Sequence, residues 1–462
     1  MQAGRGSAVS TGGPGSPRFS RRQLLGAATV GAGGLALGGF GRRGPVAAAS
    51  AAPIRQPGSL PNPAAAAGTD QIPEIEHIVV VMMENHSFDN MLGMSGRGDG
   101  FTLGADGRPT VALPDGHGGL VHAFHMPSDC QTGGVSQSWD AGHLSYDGGT
   151  NRGFVEATTG EAMGYFLGTD VPYLWGLART FPLADRWFCS VMAQTDPNRR
   201  YLISGTSLGL VDDSYPSALP PNGVIFDTFN RYGITWKEYY SDFPTLGVYL
   251  PLLGRPAYEP HLVKMAEFFS DAAAGTLPQF SLLEPNYSTQ SEEDPQDVQY
   301  GDQYLAAVVN AVMDGPKWPK TLLIWTFDEW GGWYDHVPPP AAVAPDDVPP
   351  NLAPGSQPGT FARYGFRVPS GVVSPYARRN HVSHTVYDHT SILKTVETKW
   401  NLPALTRRDA NARSVLDMVD LTAAPAFLTP PALPDPANPA LSYRCLSTGP
   451  GAIPPPSAVS GP

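Results

Sequence analysis

The chain runs to 462 residues, with 41% hydrophobic and 10% aromatic content, enough for a large core in one long α/β unit or in two to three average domains. Its formal net charge is -12, and six arginines with no acid fall in the first 51 residues, so the remainder is more acidic still. That balance argues against nucleic acid as a partner and against charge-driven binding to anionic membranes, while a neutral or zwitterionic lipid stays open. Three cysteines, Cys130, Cys189 and Cys445, are too few for a disulfide scaffold or a cysteine zinc site; one bridge is allowed, with its pairing unspecified.

Ser20-Arg21-Arg22-Gln23-Leu24-Leu25 opens a Gly/Ala-rich apolar stretch reaching Phe40, and Ala47-Ala48-Ala49 supplies small residues for cleavage. Residues 1–49 therefore read as a twin-arginine signal peptide, which implies the twin-arginine export machinery as a partner and a secreted or envelope-associated product. The stretch is too short and glycine-rich for a retained anchor, so no stable transmembrane segment is expected in the mature form. Residues 50–74 read as a flexible linker, 75–425 as one catalytic domain and 426–462 as a Pro/Ala-rich tail. Gly 52 and Pro 48 imply many loops, and no repeat period is visible.

Within the domain, candidate strands at 77–83, 233–240, 279–284, 321–327 and 367–374 alternate with candidate helices at 171–180, 197–204, 301–313 and 390–400. Alternation of this kind predicts a mostly parallel sheet with helices on both faces. Long polar insertions at 93–150 and 337–362 belong at the strand ends.

Two of these strands carry chemistry. His77-Ile78-Val79-Val80-Val81-Met82-Met83 empties into Glu84, Asn85, His86, Ser87, Asp89 and Asn90. Ligands of open parallel sheets bind beyond the carboxyl ends of the strands, and these side chains are the hard oxygen donors that a metal or phosphate site needs. The run 321–327 likewise ends in Asp328-Glu329, and a Gly331-Gly332 turn returns Asp335 and His336 toward them. Adjacent carboxylates repel unless a positive charge lies between them, and a cation held by Glu84, Asn85, Asp328 and Glu329 resolves the conflict.

The candidate nucleophile is Thr195 in Gln194-Thr195-Asp196-Pro197-Asn198-Arg199-Arg200, where Asp196 resembles a helix cap and Pro197 a first helical residue. A hydroxyl just ahead of a helix N-terminus meets the N–H groups and dipole that favour a phosphoryl group. Gly205-Thr206-Ser207-Leu208-Gly209 matches the G-x-S-x-G elbow of serine esterases, but a helix precedes it where a strand is needed. His143, His336, His384 and His389 are the histidines with usable context for proton transfer.

Together, Glu84-Asn85-His86-Ser87-Phe88-Asp89-Asn90, Asp185-Arg186-Trp187-Phe188, Thr195-Asp196-Pro197-Asn198-Arg199, Pro295-Gln296-Asp297-Val298, Asp328-Glu329-Trp330-Gly331-Gly332, Asp335-His336-Val337-Pro338-Pro339 and Tyr387-Asp388-His389-Thr390-Ser391 resemble the bacterial phosphoesterase family of phospholipases C and acid phosphatases. The resemblance implies an alkaline-phosphatase-like α/β fold, Thr195 as nucleophile, and Glu84, Asn85, Asp328 and Glu329 as metal ligands, with Thr195 on the same ion. It further implies a phospholipid phosphodiester substrate and a phosphothreonine intermediate, with phosphomonoester hydrolysis as the alternative. Asn198, Asp335 and His389 are the expected phosphate-binding residues. Relatives commonly carry histidine where Gln137 and Asp294 stand here, which leaves His143 and His336 as the candidate acids. Oxygen-rich ligands favour Ca²⁺, Mg²⁺ or Mn²⁺, with Zn²⁺ and Fe left open. Readings of other classes are a serine carboxylesterase using Ser207 and a non-catalytic exported metal-binding protein.

Overall fold

The computed structural model describes residues 53–131, 134–438 and Cys445. The expected signal peptide and most of the expected tail lie outside the described residues.

An eight-stranded sheet organises the chain: β1 (His77–Met83), β2 (Leu183–Ala184), β3 (Trp236–Tyr240), β4 (Leu262–Lys264), β5 (Phe280–Glu284), β6 (Thr321–Phe327), β7 (Ser370–Val373) and β8 (Val382–Ser383). Their spatial order is β8-β2-β7-β6-β1-β5-β3-β4, with every neighbouring pair parallel except the two that involve β7. This is the mostly parallel α/β sheet expected from the alternation. Every residue of the central strands β1 and β6 is buried. Since successive side chains point to opposite faces, both faces must be covered, which explains runs such as Ile-Val-Val-Val-Met-Met that show no polar alternation.

The principal helices are α1 (Phe88–Leu92), α2 (Trp139–Tyr146), α3 (Pro172–Thr180), α4 (Thr195–Ser204), α5 (Ile225–Tyr232), α6 (Met265–Ala274), α7 (Val298–Asp314) and α8 (Thr390–Trp400). They pack in two groups, α3 and α6 against α7, and α5 and α8 against α4. The expected strand at 233–240 is shorter because Gly233, at φ 70, ends α5 as its left-handed cap. No helix among the described residues is long and apolar enough to cross a membrane.

The 53–74 segment runs along the end of α8. Gly58 N–H donates to the Ala404 carbonyl at 2.7 Å, Gln71 N–H to Lys399 at 2.7 Å, and the Asn401 amide reaches the Asn62 carbonyl at 3.0 Å. Of the three cysteines, Cys130 and Cys445 form a disulfide, and Cys189 is buried as a free thiol.

Candidate active site

Parallel pairing fixes the geometry of the acids. β1 and β6 run in register from His77 opposite Thr321 to Met83 opposite Phe327. The next residues, Glu84 and Asp328, then Asn85 and Glu329, therefore leave the sheet side by side. The Asn85 N–H donates to Asp328 Oδ1 at 3.1 Å, and the Glu329 N–H to the same oxygen at 2.7 Å. Asn85 turns the chain at φ 64, a left-handed conformation that asparagine tolerates better than most residues. The returning chain must pass close: a Cβ on Gly331 would lie 1.9 Å from the Asn85 carbonyl oxygen, so only glycine fits there.

Helix α4 brings the hydroxyl. Its cap is Gln194 and Thr195 is its first residue, so the helix starts two residues earlier than the expected cap at Asp196 implied. Asp196 instead pairs with Arg200 four residues on, at 3.0 Å, and its N–H donates to Asp213 at 2.8 Å. The Thr195 hydroxyl donates to Glu84 Oε1 at 3.1 Å. Thr195 thus meets Glu84, and the Asp328 carboxylate meets the backbones of Asn85 and Glu329.

Arg199, one turn along α4, is a functional neighbour that sequence reasoning left without a role. Its guanidinium meets Asp328 Oδ2 at 3.1 Å and Glu284, at the end of β5, at 2.6 Å. The arginine was legible as a repeat spacing from Thr195 (i, i+4), but Glu284 was not, because nothing local marks it. One guanidinium cannot balance four carboxylates. Burial and the Asp328 charge push Glu84 and Glu329 well above the ordinary carboxylate range, and burial raises Asp328 against the pull of Arg199. Glu84 Oε2, Glu329 Oε1 and both side-chain atoms of Asn85 are buried without a protein partner. Unpaired buried oxygens of this kind fit a divalent cation.

The remaining expected residues serve elsewhere. Asn198 accepts from the Val191 N–H at 3.1 Å and donates to the Val191, Ala193 and Gln194 carbonyls, so its amide fixes the loop that presents Thr195 and is used up there. His389 is buried, lowered to about 4 by that burial, with Nε2 on the Asp328 carbonyl at 2.5 Å and Nδ1 facing Trp187 Nε1 at 3.4 Å. Both nitrogens are engaged by protein, and the ring steadies the Asp328-Glu329 backbone. His143 places Nδ1 2.8 Å from the Trp139 carbonyl, stacks on that indole, and makes no hydrogen bond to Thr195. Ser207 is buried beyond the end of α4, outside the strand-turn-helix that an esterase elbow needs. Close to the acids, Glu293 is raised to about 7 by burial and by Asp294, Asp328 and Asp213, and burial raises Asp294 to about 6. Of the two, Asp294 stands where relatives commonly carry histidine.

Asp335 and His336 form a second cluster. Arg367 binds Asp335 at 2.8 Å and Asp89 at 3.1 Å, and His336 Nδ1 lies 2.7 Å from Asp89. Asp89, Asp335 and His336 bring ligand-type atoms within 4.8 Å of one another, but Arg367 already pairs with both carboxylates. Asp335 is therefore held as a structural ion pair, its oxygens taken by Arg367 and by the Asp89 and Val337 N–H groups. Burial opposes charging of His336, yet the Asp89 hydrogen bond with the Asp89 and Asp335 charges outweighs it and raises the imidazole above 6.5. A raised histidine stabilises fully below its unfolded value and loses that contribution as pH rises through its folded one. His336→Ala should accordingly cost about 1–2 kcal/mol at pH 6 and markedly less at pH 9, read by urea denaturation at the two values.

The Phosphoesterase family model matches residues 75–403. Phospholipase C A of Mycobacterium tuberculosis is 30% identical over 441 residues, covering 82% of this chain and 81% of its own. Non-specific phospholipase C1 of Arabidopsis thaliana is 31% identical over 377 residues, covering 73% and 69%. Among solved structures, a protein in the alkaline phosphatase superfamily from Vibrio parahaemolyticus aligns over 75% of this chain and 71% of its own, with a TM-score of 0.39 and 9% identity. The family match extends over both acid-bearing strand ends and the Thr195 helix, and the chain belongs to the phosphoesterase family, as a hydrolase of phosphoric esters.

Proposed function

We propose that the chain is an exported, metal-dependent phospholipase C, cleaving phospholipid phosphodiesters through a phosphothreonine on Thr195. The observation that carries this reading is the Thr195 hydroxyl at the start of a ten-residue helix, 3.1 Å from a Glu84 carboxylate whose other oxygen has no protein partner. Glu84, Asn85, Asp328 and Glu329, with Thr195, would hold a divalent cation, which when bound supplies charge stabilisation for phosphoryl oxygens and acidifies a nearby hydroxyl. The oxygen-rich donor set favours Ca²⁺, Mg²⁺ or Mn²⁺.

Thr195 Oγ1, its proton lost to solvent, attacks phosphorus; the bond to the diacylglycerol oxygen breaks as that oxygen takes a proton from water, and a second water later displaces the threonine oxygen to release the phosphorylated head group. Glu84 orients the hydroxyl by accepting its hydrogen bond. The N–H groups at the start of α4 favour the charge on the equatorial oxygens, commonly the largest contribution in phosphoryl transfer. The phospholipid substrate rests on the names of the relatives, and export on Arg21-Arg22 with the apolar stretch that follows. Purified protein given phosphatidylcholine micelles and Ca²⁺, Mg²⁺ or Mn²⁺ should release diacylglycerol and phosphocholine, resolved by thin-layer chromatography and phosphorus NMR. Turnover of p-nitrophenyl phosphate alone would replace this reading with a phosphomonoesterase.

A further inference from the structure

A cavity of about 350 Å³ lies beside the loop that carries the nucleophile, lined by His143, Tyr146, Met192, Gly359, Thr360 and Arg363. Arg363 is half-buried there. Its guanidinium stacks over the Tyr146 ring at 4.8 Å and gives one hydrogen bond, from Nη1 to the Pro339 carbonyl at 2.6 Å. Among the described residues no carboxylate comes within ion-pair distance of it, although the chain holds 42 acids against 30 lysines and arginines. The fully buried Arg199, Arg200, Arg367 and Arg408 each have such a partner. Asp140, one turn ahead of His143, is occupied by the Gln357 N–H at 2.7 Å.

The wall is closely packed. A Cβ on Gly359 would come within 2.3 Å of His143 Nε2 and 2.5 Å of the Trp139 ring, so a side chain there would force the wall to shift. The cavity also adjoins the chemistry. Met192 precedes Thr195 by three residues, a chain span of at most about 10 Å. Trp330, which follows Glu329, packs against Gly142 beside His143, where a Cβ would meet it at 2.9 Å.

A planar guanidinium with free N–H groups in a half-open cavity matches a carboxylate or phosphate better than any neutral group. We propose that this cavity is a subsite for an anionic group on the head group that stays with the phosphorus, with Arg363 as its receptor; the inference rests on the phospholipase C reading. It selects head groups that hold a carboxylate or a second phosphate several atoms from the phosphorus. A choline head group finds no counter-charge in Arg363.

The test reads binding without turnover, using full-length Thr195→Ala protein with saturating Ca²⁺ in titration calorimetry. Glycerophosphoserine supplies the carboxylate, glycerophosphoinositol 4-phosphate the phosphate, and glycerophosphocholine the control. At least one anionic ligand should bind about tenfold tighter than the choline ester. Adding Arg363→Gln should erase that difference while leaving glycerophosphocholine affinity unchanged, and Arg363→Lys should restore part of it. The two anionic ligands tell a carboxylate site from a phosphate site. Equal affinities for all three ligands, or no binding by any, overturn the subsite, as does an Arg363→Gln protein that keeps the preference. Anion-selective binding by a protein whose Thr195 form hydrolyses no diester would sink the catalytic reading and leave the receptor site standing.

Discussion

Thr195→Ala should lower kcat on p-nitrophenyl phosphorylcholine by at least about 10³-fold, with a much smaller change in KM. The hydroxyl is lost at the one position where a helix N-terminus, a Glu84 acceptor and unpartnered carboxylate oxygens meet. Alanine is also the best helix former, and Thr195 is only half-buried, so the melting temperature should hold within a few degrees. Loss of activity with fold intact separates a nucleophile from a structural residue. Thr195→Ser keeps an oxygen in place and should retain a large share of activity, whereas Ser207→Ala should change nothing. Acid quenching during turnover, followed by peptide mapping, should find phosphocholine on the peptide containing Thr195 in the wild type and none in the alanine variant. Phosphocholine on another residue, or an alanine variant that still turns over, would end the covalent mechanism proposed for Thr195.

The strands that carry the acids were readable to the residue, because buried parallel strands are continuous apolar runs and their ends are abrupt. Expectation and structure coincide at His77–Met83 and Thr321–Phe327. Pairing of those two strands was not readable, yet it is what sets Glu84 beside Asp328 and Asn85 beside Glu329. The strand-end cluster at 84–90 divides once the chain turns at Asn85. His86, Ser87, Asp89 and Asn90 are spent on Asn90, Tyr334, His336 and Gly164 respectively, leaving only the first two residues for chemistry. Asn198, Asp335 and His389 sit in the right motifs but serve as braces, since a sequence pattern cannot tell a side chain that touches ligand from one that holds its neighbour. Arg199, Glu284 and Glu293 come from three separate segments, and only folding shows that they share one electrostatic problem. Pairing of Cys130 with Cys445 across 315 residues was equally beyond any local signal.

Removing divalent cations should abolish activity and lower stability together, and Glu329→Gln should separate the two effects. Glu329 is the informative position because Arg199 binds Asp328 and Glu284 but makes no ion pair with Glu329. Its Oε1 is buried and unpartnered, so in metal-free protein the carboxylate is an uncompensated burden. The folded chain holds that proton above the ordinary value of 4.5, and a raised carboxyl drains stability as pH climbs above its unfolded value. Glutamine keeps the shape and removes the charge. Metal-free Glu329→Gln should therefore be more stable than metal-free wild type by about 1–3 kcal/mol at pH 7, with the gain shrinking toward pH 5. Added cation at a hundred times its dissociation constant should stabilise the wild type by about 2.7 kcal/mol and the variant by far less. Activity should run the opposite way, falling at least about 10²-fold in the variant even with cation present. Calorimetric melting with and without chelator, beside the diester assay, reads both arms. A variant that loses stability in chelator as well as activity would mean that Glu329 is satisfied by protein alone, and the case for a cation between the two strand ends would fail with it.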